Sequence, residues 1–502
     1  MASNEHLPTE SAVELRRRIG TKEISPVELL DACIERIERV NPRVNAIAAT
    51  CYERARQEAK AAEAAVLRGE PLGLLHGLPV GIKDLEETAG LLTTYGSPLY
   101  RDYVPERDSS MVARVRAAGA IIVAKTNTPE FGAGANTRNA VWGATGNPFN
   151  ASLNAGGSSG GSAVALACDM LPLCTGSDTG GSLRIPAAMC GTVGMRPSPG
   201  RVPTDRRSLG WAPISVIGPM GRSVADAALL FAAQAAFDES DPLAYPVDGN
   251  TFAAADLVDL GSLRIAWTVD FGTAPVDASI REVFRDKIGA MRHLFRSCEQ
   301  AQFDFGDADR CFDVIRAMNF VDRFRDIYEK DPDALGANVR ANYEAGARMT
   351  IADVTWAHAQ QTRLFRRFQR TFGECDLVVA PTTSVTPFPW TQLYLGEMDG
   401  KPLLNYYHWL SLTYVITLVT NPAISLPCGV DHAGMPFGLQ VIGRFRGDRA
   451  MLSAAHAMER AFAAIPELRR PLPDLPRLFT STPALKSIVT HPPVQQSNRE
   501  KV

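Results

Sequence analysis

Three short stretches supply the residue types of a hydroxyl nucleophile and its base. The first, GSDTGGSLRIPA at 176–187, places Ser182 after two glycines. A backbone that permissive can present a hydroxyl and several N–H groups to one ligand. The second, NAGGSSGGSA at 154–163, offers Ser158 in a similar setting. The third, LPVGIKD at 78–84, reads as a strand with Lys83 at its C-terminal tip. A serine hydroxyl is inert at neutral pH unless a base removes its proton, and no histidine lies near Ser182 in the sequence. Lysine normally keeps its proton to about pH 10.4, but burial disfavours the charged form and lowers that value by several units. A neutral Lys83 would be a base, whereas a Lys83 paired to Asp84 would be an ordinary strand end. Spacing alone does not choose between them.

Other chemistries fit these stretches poorly. Taken singly, each Gly/Ser block reads as a flexible loop. Both, however, fall at helix–strand junctions, where α/β enzymes tend to bind ligands. Neither block continues into the lysine of a phosphate-binding P-loop, and no G-x-G-x-x-G is present. GGSSG at 156–160 formally matches the G-x-S-x-G nucleophile elbow, with Ser158 as nucleophile, His76–Gly77 as oxyanion loop and His432 as base. An elbow must follow a strand, and the preceding NPFNASLNA is turn-rich. No H-E-x-x-H or Cys/His cluster suggests a metal, so no cofactor is expected.

The elements that must position these residues alternate. SPVELLDACIERIERVNP opens with a capping box, Ser25 and Glu28, and carries one apolar stripe. LPVGIKD, AIIVAKT and LPLCTGSD read as strands, while SSMVARVRAAG and GSAVALACDML read as helices. The pattern predicts an α/β fold: one large α/β/α domain with a central mixed sheet flanked by helices, plus a helical insertion or cap. We divide the chain into an N-terminal helical segment (1–70), a core with the three motifs (71–240), a mainly helical substrate-lining region (241–373) and the C-terminal part of the α/β core (374–470). The Pro-rich tail (471–502) is expected to be extended or disordered. WLSLTYVITLV at 409–419 is too short to span a membrane and reads as a buried helix.

Bulk composition narrows the partners. The 502 residues are 45% apolar and 21% charged, with a net charge of −3. This balance gives no reason to expect nucleic acid or a membrane surface as partner. The nine cysteines are scattered and odd in number, as in a reducing compartment. The N-terminus lacks the pattern of a secretory signal, so a cytoplasmic location is expected.

GLPVGIKD, GGSSGGSA and GSDTGGSLRIPA, in that order, resemble the amidase signature family. VAKTNTPEFG, CGTVGMRPSPGRV, NPAISLPCGV and PFGLQVIG resemble further family segments, so the likeness runs from about residue 11 to 462. Leu183 stands where isoleucine is usual and Arg196 where lysine is usual. The resemblance implies amide hydrolysis by a Ser–Ser–Lys triad: Ser182 as nucleophile, Ser158 as bridging serine after a cis peptide at Gly157–Ser158, and Lys83 as terminal base. It also implies an oxyanion hole from the backbone amides of Thr179, Gly180, Gly181 and Ser182. Asp178 and Arg184 are read as structural supports, and Gly157 as a substrate contact. Phe320, Phe324, Tyr328, Tyr343, Tyr406, Tyr407 and Trp409 form a candidate apolar entrance, which points to aryl or hydrophobic amides with ester or carbamate side activity. The alternative is the glutaminase subunit of a tRNA-dependent amidotransferase. The expected partner is a small amide substrate, and a homodimer is the default assembly.

Overall fold

The computed structural model describes residues 4–480 and 483–494. Eleven strands form its main sheet: β1 (Ile47–Thr50), β2 (Pro79–Lys83), β3 (Ile121–Thr126), β4 (Leu173–Asp178), β5 (Val193–Arg196), β6 (Val216–Gly221), β7 (Arg264–Trp267), β8 (Ser297–Gln300), β9 (Leu377–Pro381), β10 (Ala423–Val430) and β11 (Pro436–Ile442). Their spatial order is β1-β3-β2-β4-β6-β5-β10-β11-β9-β7-β8. β3, β2 and β4 run parallel, as do β9, β7 and β8, and the centre is antiparallel. The sheet is therefore mixed and covered by helices, as the alternation of elements implied.

Local sequence explains the best-defined elements. Helix α1 (Pro26–Val44) begins with the Ser25/Glu28 capping box and has proline at its first turn. It buries Leu29, Leu30, Cys33, Ile34 and Ile37 along one stripe. β2, β3 and β4 are buried almost throughout, which suits parallel strands covered on both faces. Helices α2 (Gly160–Ala167) and α3 (Arg184–Cys190) follow the two Gly/Ser blocks and are buried at every residue.

Two parts of the chain differ from the sequence reading. The region 241–373 is mainly helical, with α4 (Ala308–Lys330), α5 (Ala337–Ala347) and α6 (Ile351–Thr371), but it also supplies β7 and β8 at one end of the sheet. Each is four residues long, and β8 reads Ser-Cys-Glu-Gln, too short and polar for periodicity to reveal. The described part of the Pro-rich tail is tied down. Leu485 is buried beside Ala144 and Trp390, and its carbonyl accepts from the Ala144 amide (2.8 Å). The amides of Thr490 and His491 donate to the Ala140 carbonyl, and that of Val494 to Asp102. Residues 481–482 and 495–502 of the tail lie outside the described residues. The stretch 409–419 contains a buried helix, α7 (Ser411–Leu418). No helix among the described residues is long and apolar enough to cross a membrane.

Candidate active site

Lys83 closes β2 between β3 and β4 and is fully buried. Its Nζ donates to three serine hydroxyls: Ser158 Oγ at 2.7 Å, Ser159 Oγ at 2.8 Å and Ser177 Oγ at 2.9 Å. Among the described residues no carboxylate stands at ion-pair distance from it. Asp84, the sequence neighbour that would have neutralised Lys83, turns away and accepts from the amide and hydroxyl of Thr94. Burial lowers the Lys83 pKa from 10.5 to about 7, against the opposing pull of Asp178 and Glu86. An ammonium here fills all three hydrogen bonds as donor. The neutral amine donates two and accepts one, so a serine proton has a place to go.

Ser158 is 2% exposed and follows a cis peptide at Gly157–Ser158, as the resemblance implied. Gly157 packs against the backbone of Ala135 and Asn136, where a Cβ would come within 2.9 Å. The Ser159 amide donates to the Ser182 carbonyl (3.2 Å), joining the two Gly/Ser blocks. Ser182 is half-buried between β4 and α3, more open than Ser158. His432, by contrast, is exposed in the turn joining β10 to β11, so it does not serve the buried Ser158.

Asp178 anchors the loop that carries Ser182. It accepts from the amides of Gly181 (3.0 Å) and Leu183 (3.3 Å) and from Arg184 Nε and Nη2 (3.0 and 2.9 Å). Arg196 Nη1 adds a bond to the Asp178 carbonyl (2.8 Å) and another to its side chain (3.2 Å). Burial alone would raise the Asp178 pKa, but the two guanidiniums hold it well below the usual carboxylate range. Arg184 also reaches the Thr413 carbonyl, Gln440 and Thr417, tying the loop to α7. Thr413 Oγ1 donates to the Gly180 carbonyl (2.6 Å).

This anchoring changes one expectation. The Gly181 amide is already given to Asp178, so in this geometry it is not free to meet an oxyanion. Among the described residues the amides of Thr179, Gly180 and Ser182 have no acceptor. Gly181 itself has φ of 120°, and a Cβ there would lie 2.3 Å from Thr413 Oγ1.

The expected aromatic entrance is largely core. Phe324, Tyr343, Tyr407 and Trp409 are buried, and Tyr328 stacks on Tyr343 at 4.2 Å. Phe320 is half-buried against Phe324, and the Tyr406 hydroxyl is held by Arg316 and Asn342. The rings beside the Ser182 loop, Phe312 and Tyr414, are buried as well, stacked at 4.3 Å with planes 5° apart. A Cβ at Gly180 would lie 3.2 Å from Phe312 Cζ. Ser159, Ser177 and the Phe312–Tyr414 pair are the features the sequence reading missed. The first two sit in plain view within the Gly/Ser blocks, but only the fold turns them onto Nζ.

An α/β fold with a buried lysine beneath paired Gly/Ser loops is the framework of a hydrolase. Comparisons with known proteins agree. The model of the Amidase family matches residues 28–452. A glutamyl-tRNA(Gln) amidotransferase subunit from Acaryochloris marina is 33% identical over 475 residues, covering 89% of this chain and 97% of the relative. An acylamidase from Rhodococcus erythropolis is 33% identical over 455 residues, covering 89% and 94%. The crystal structure of a bacterial aryl acylamidase superposes with a TM-score of 0.84 at 28% identity, covering 90% of this chain and 96% of that one. The chain belongs to the amidase signature family and is an amide-cleaving hydrolase.

Proposed function

We propose that this chain is a free-standing amidase that cleaves aryl or hydrophobic amides through an acyl-enzyme on Ser182, with Ser158 as proton bridge and Lys83 as base. The observation that carries the reading is the fully buried Lys83, unpaired with any carboxylate among the described residues, whose Nζ lies 2.7 Å from Ser158 Oγ. In this scheme Ser182 Oγ attacks the amide carbonyl and gives its proton to Ser158, whose own proton passes to neutral Lys83. The carbonyl oxygen, now negative, takes hydrogen bonds from the open amides among Thr179, Gly180 and Ser182. Collapse of the tetrahedral intermediate breaks the C–N bond, and the proton stored on Lys83 returns through Ser158 to the leaving amine. Water then cleaves the ester, regenerating Ser182. Asp178, Arg184 and Arg196 position the loop without touching the substrate.

An acylamidase and a bacterial aryl acylamidase among the matched proteins support an aryl or hydrophobic amide, with esters and carbamates as side substrates. The reading requires no metal or cofactor, and we place the enzyme in the cytoplasm, working as a homodimer. A second reading, the glutaminase subunit of an amidotransferase, is kept because the matched relatives include an amidotransferase component with the same 33% identity as the acylamidase.

Release of 4-nitroaniline from 4-nitroacetanilide by the purified chain, with Lys83→Ala beside it, tests both readings. Activity lost in the variant supports the free-standing amidase. Silence on a panel of anilides, with glutamine hydrolysed once partner proteins are added, replaces it with the second reading.

A further inference from the structure

Arg323 lies on α4 with its side chain exposed, and its guanidinium has an unusual setting. It lies over three rings, with its carbon 5.3 Å from the centroid of Phe131, 5.4 Å from Phe324 and 5.8 Å from Tyr95. Among the described residues it meets no hydrogen-bond acceptor and no carboxylate at ion-pair distance. Three acidic groups of this region are engaged elsewhere. Glu86 is buried and accepts from Ser109, Glu87 is held by Tyr95 and Arg206, and Asp322 accepts from Ser208. Stacking occupies the face of a guanidinium and leaves its edge, with its fork of N–H donors, available for a planar anion.

The rings beneath Arg323 lead to the proposed catalytic residues. Phe131 packs against Tyr95 and Tyr100, and its chain neighbour Gly132 faces Ser158, where a Cβ would lie 3.3 Å from Ser158 Oγ. Arg323 is thus linked to Ser158 through one ring, Phe131, and that ring's chain neighbour Gly132. An arginine whose fork of N–H donors is unused suits a planar carboxylate, which can take two parallel bonds from it.

We propose that Arg323 recognises a carboxylate on the substrate, so that the preferred amides carry an anionic group beside their aromatic or apolar part. The proposal rests on the amidase reading for its catalytic half, and the binding half can be measured alone. The kinetic test uses two pairs of anilides. One pair carries the carboxylate on the leaving side (4-acetamidobenzoate against 4-acetamidobenzamide), the other on the acyl side (succinanilate against its carboxamide). The wild type should favour the carboxylate in at least one pair by about tenfold in kcat/KM, the scale of one charge-assisted hydrogen bond, mainly through KM. In Arg323→Met, which keeps an apolar stem over the rings, the ratio should fall close to one, and Arg323→Lys should recover part of it. No preference in either pair, or a preference that survives Arg323→Met, overturns the proposal.

Should the wild type turn over none of these anilides, the amidase reading has failed for them, and calorimetric binding of benzoate and benzamide decides instead. Benzoate favoured by the wild type and not by Arg323→Met supports the anion site, and equal binding by both proteins overturns it.

Discussion

Replacing Lys83 with methionine should abolish amide hydrolysis while stabilising the fold near neutral pH, and the stability effect should reverse in alkali. The lysine pKa falls from 10.5 to about 7 on folding, with burial the main cause. Between those values the unfolded chain binds a proton that the folded chain sheds. Stability therefore falls as pH drops below about 10.5, and the loss is complete below about 7. Integrating this linkage gives a penalty of about 5 kcal/mol at pH 6.5 and about 1.5 kcal/mol at pH 9.5. Methionine removes the penalty at both. It also strips a partner from Ser158, Ser159 and Ser177, which costs about 1 kcal/mol for each at either pH. Lys83→Met should thus be about 2 kcal/mol more stable than wild type at pH 6.5 and about as much less stable at pH 9.5. Urea unfolding of both proteins at the two pH values measures this. A stability gap that does not move with pH would refute a lysine buried with a depressed pKa, whatever happens to activity.

The same lysine should set the pH–rate profile. With the neutral amine as competent base, kcat/KM on an anilide should climb about tenfold per pH unit below about 7 and level off above it, and a profile without that inflection removes Lys83 from the proton path. Gly181→Ala should lower kcat by about a hundredfold or more, because its Cβ meets Thr413 Oγ1 at 2.3 Å and Ile185 Cδ1 at 2.6 Å. Gly180→Ala, whose Cβ meets nothing closer than Phe312 Cζ at 3.2 Å, should lose far less, and equal losses would show that the loop does not depend on Thr413. Asp178→Asn should cost about 3 kcal/mol or more in urea unfolding, since it leaves Arg184 and Arg196 buried without a countercharge. A loss below about 1 kcal/mol would mean that the remaining carbonyl acceptors suffice.

Much of the framework was legible because it is written locally. The Ser25/Glu28 box, the apolar stripe of α1 and the runs that became β2, β3 and β4 each follow from a few neighbouring residues. The three motifs were legible as candidates, and the resemblance ordered them. What escaped depends on distant parts of the chain meeting. That Asp84 would bond Thr94 and leave Lys83 unpaired is a matter of tertiary packing, as is the turning of Ser159 and Ser177 onto Nζ. The capture of the Gly181 amide by Asp178 depends on side-chain rotamers that no spacing rule encodes. The docking of Leu485 beside Trp390 was hidden because a Pro-rich, polar tail shows its few apolar anchors only once their partners are in place.

The three hydroxyls around Lys83 Nζ come from two separate pieces of chain: Ser158 and Ser159 from a loop, and Ser177 from β4, which lies beside β2 with Gly81 opposite Cys174. Because side chains alternate across a sheet, slipping β2 by one residue would carry Lys83 to the opposite face and put Asp84 or Ile82 in its place. No partly correct pairing yields a partly assembled amine cage. Turnover would therefore act as a count of correctly zipped molecules, and the recovery of activity during refolding would time the closing of β2 onto β4 rather than the collapse of the chain.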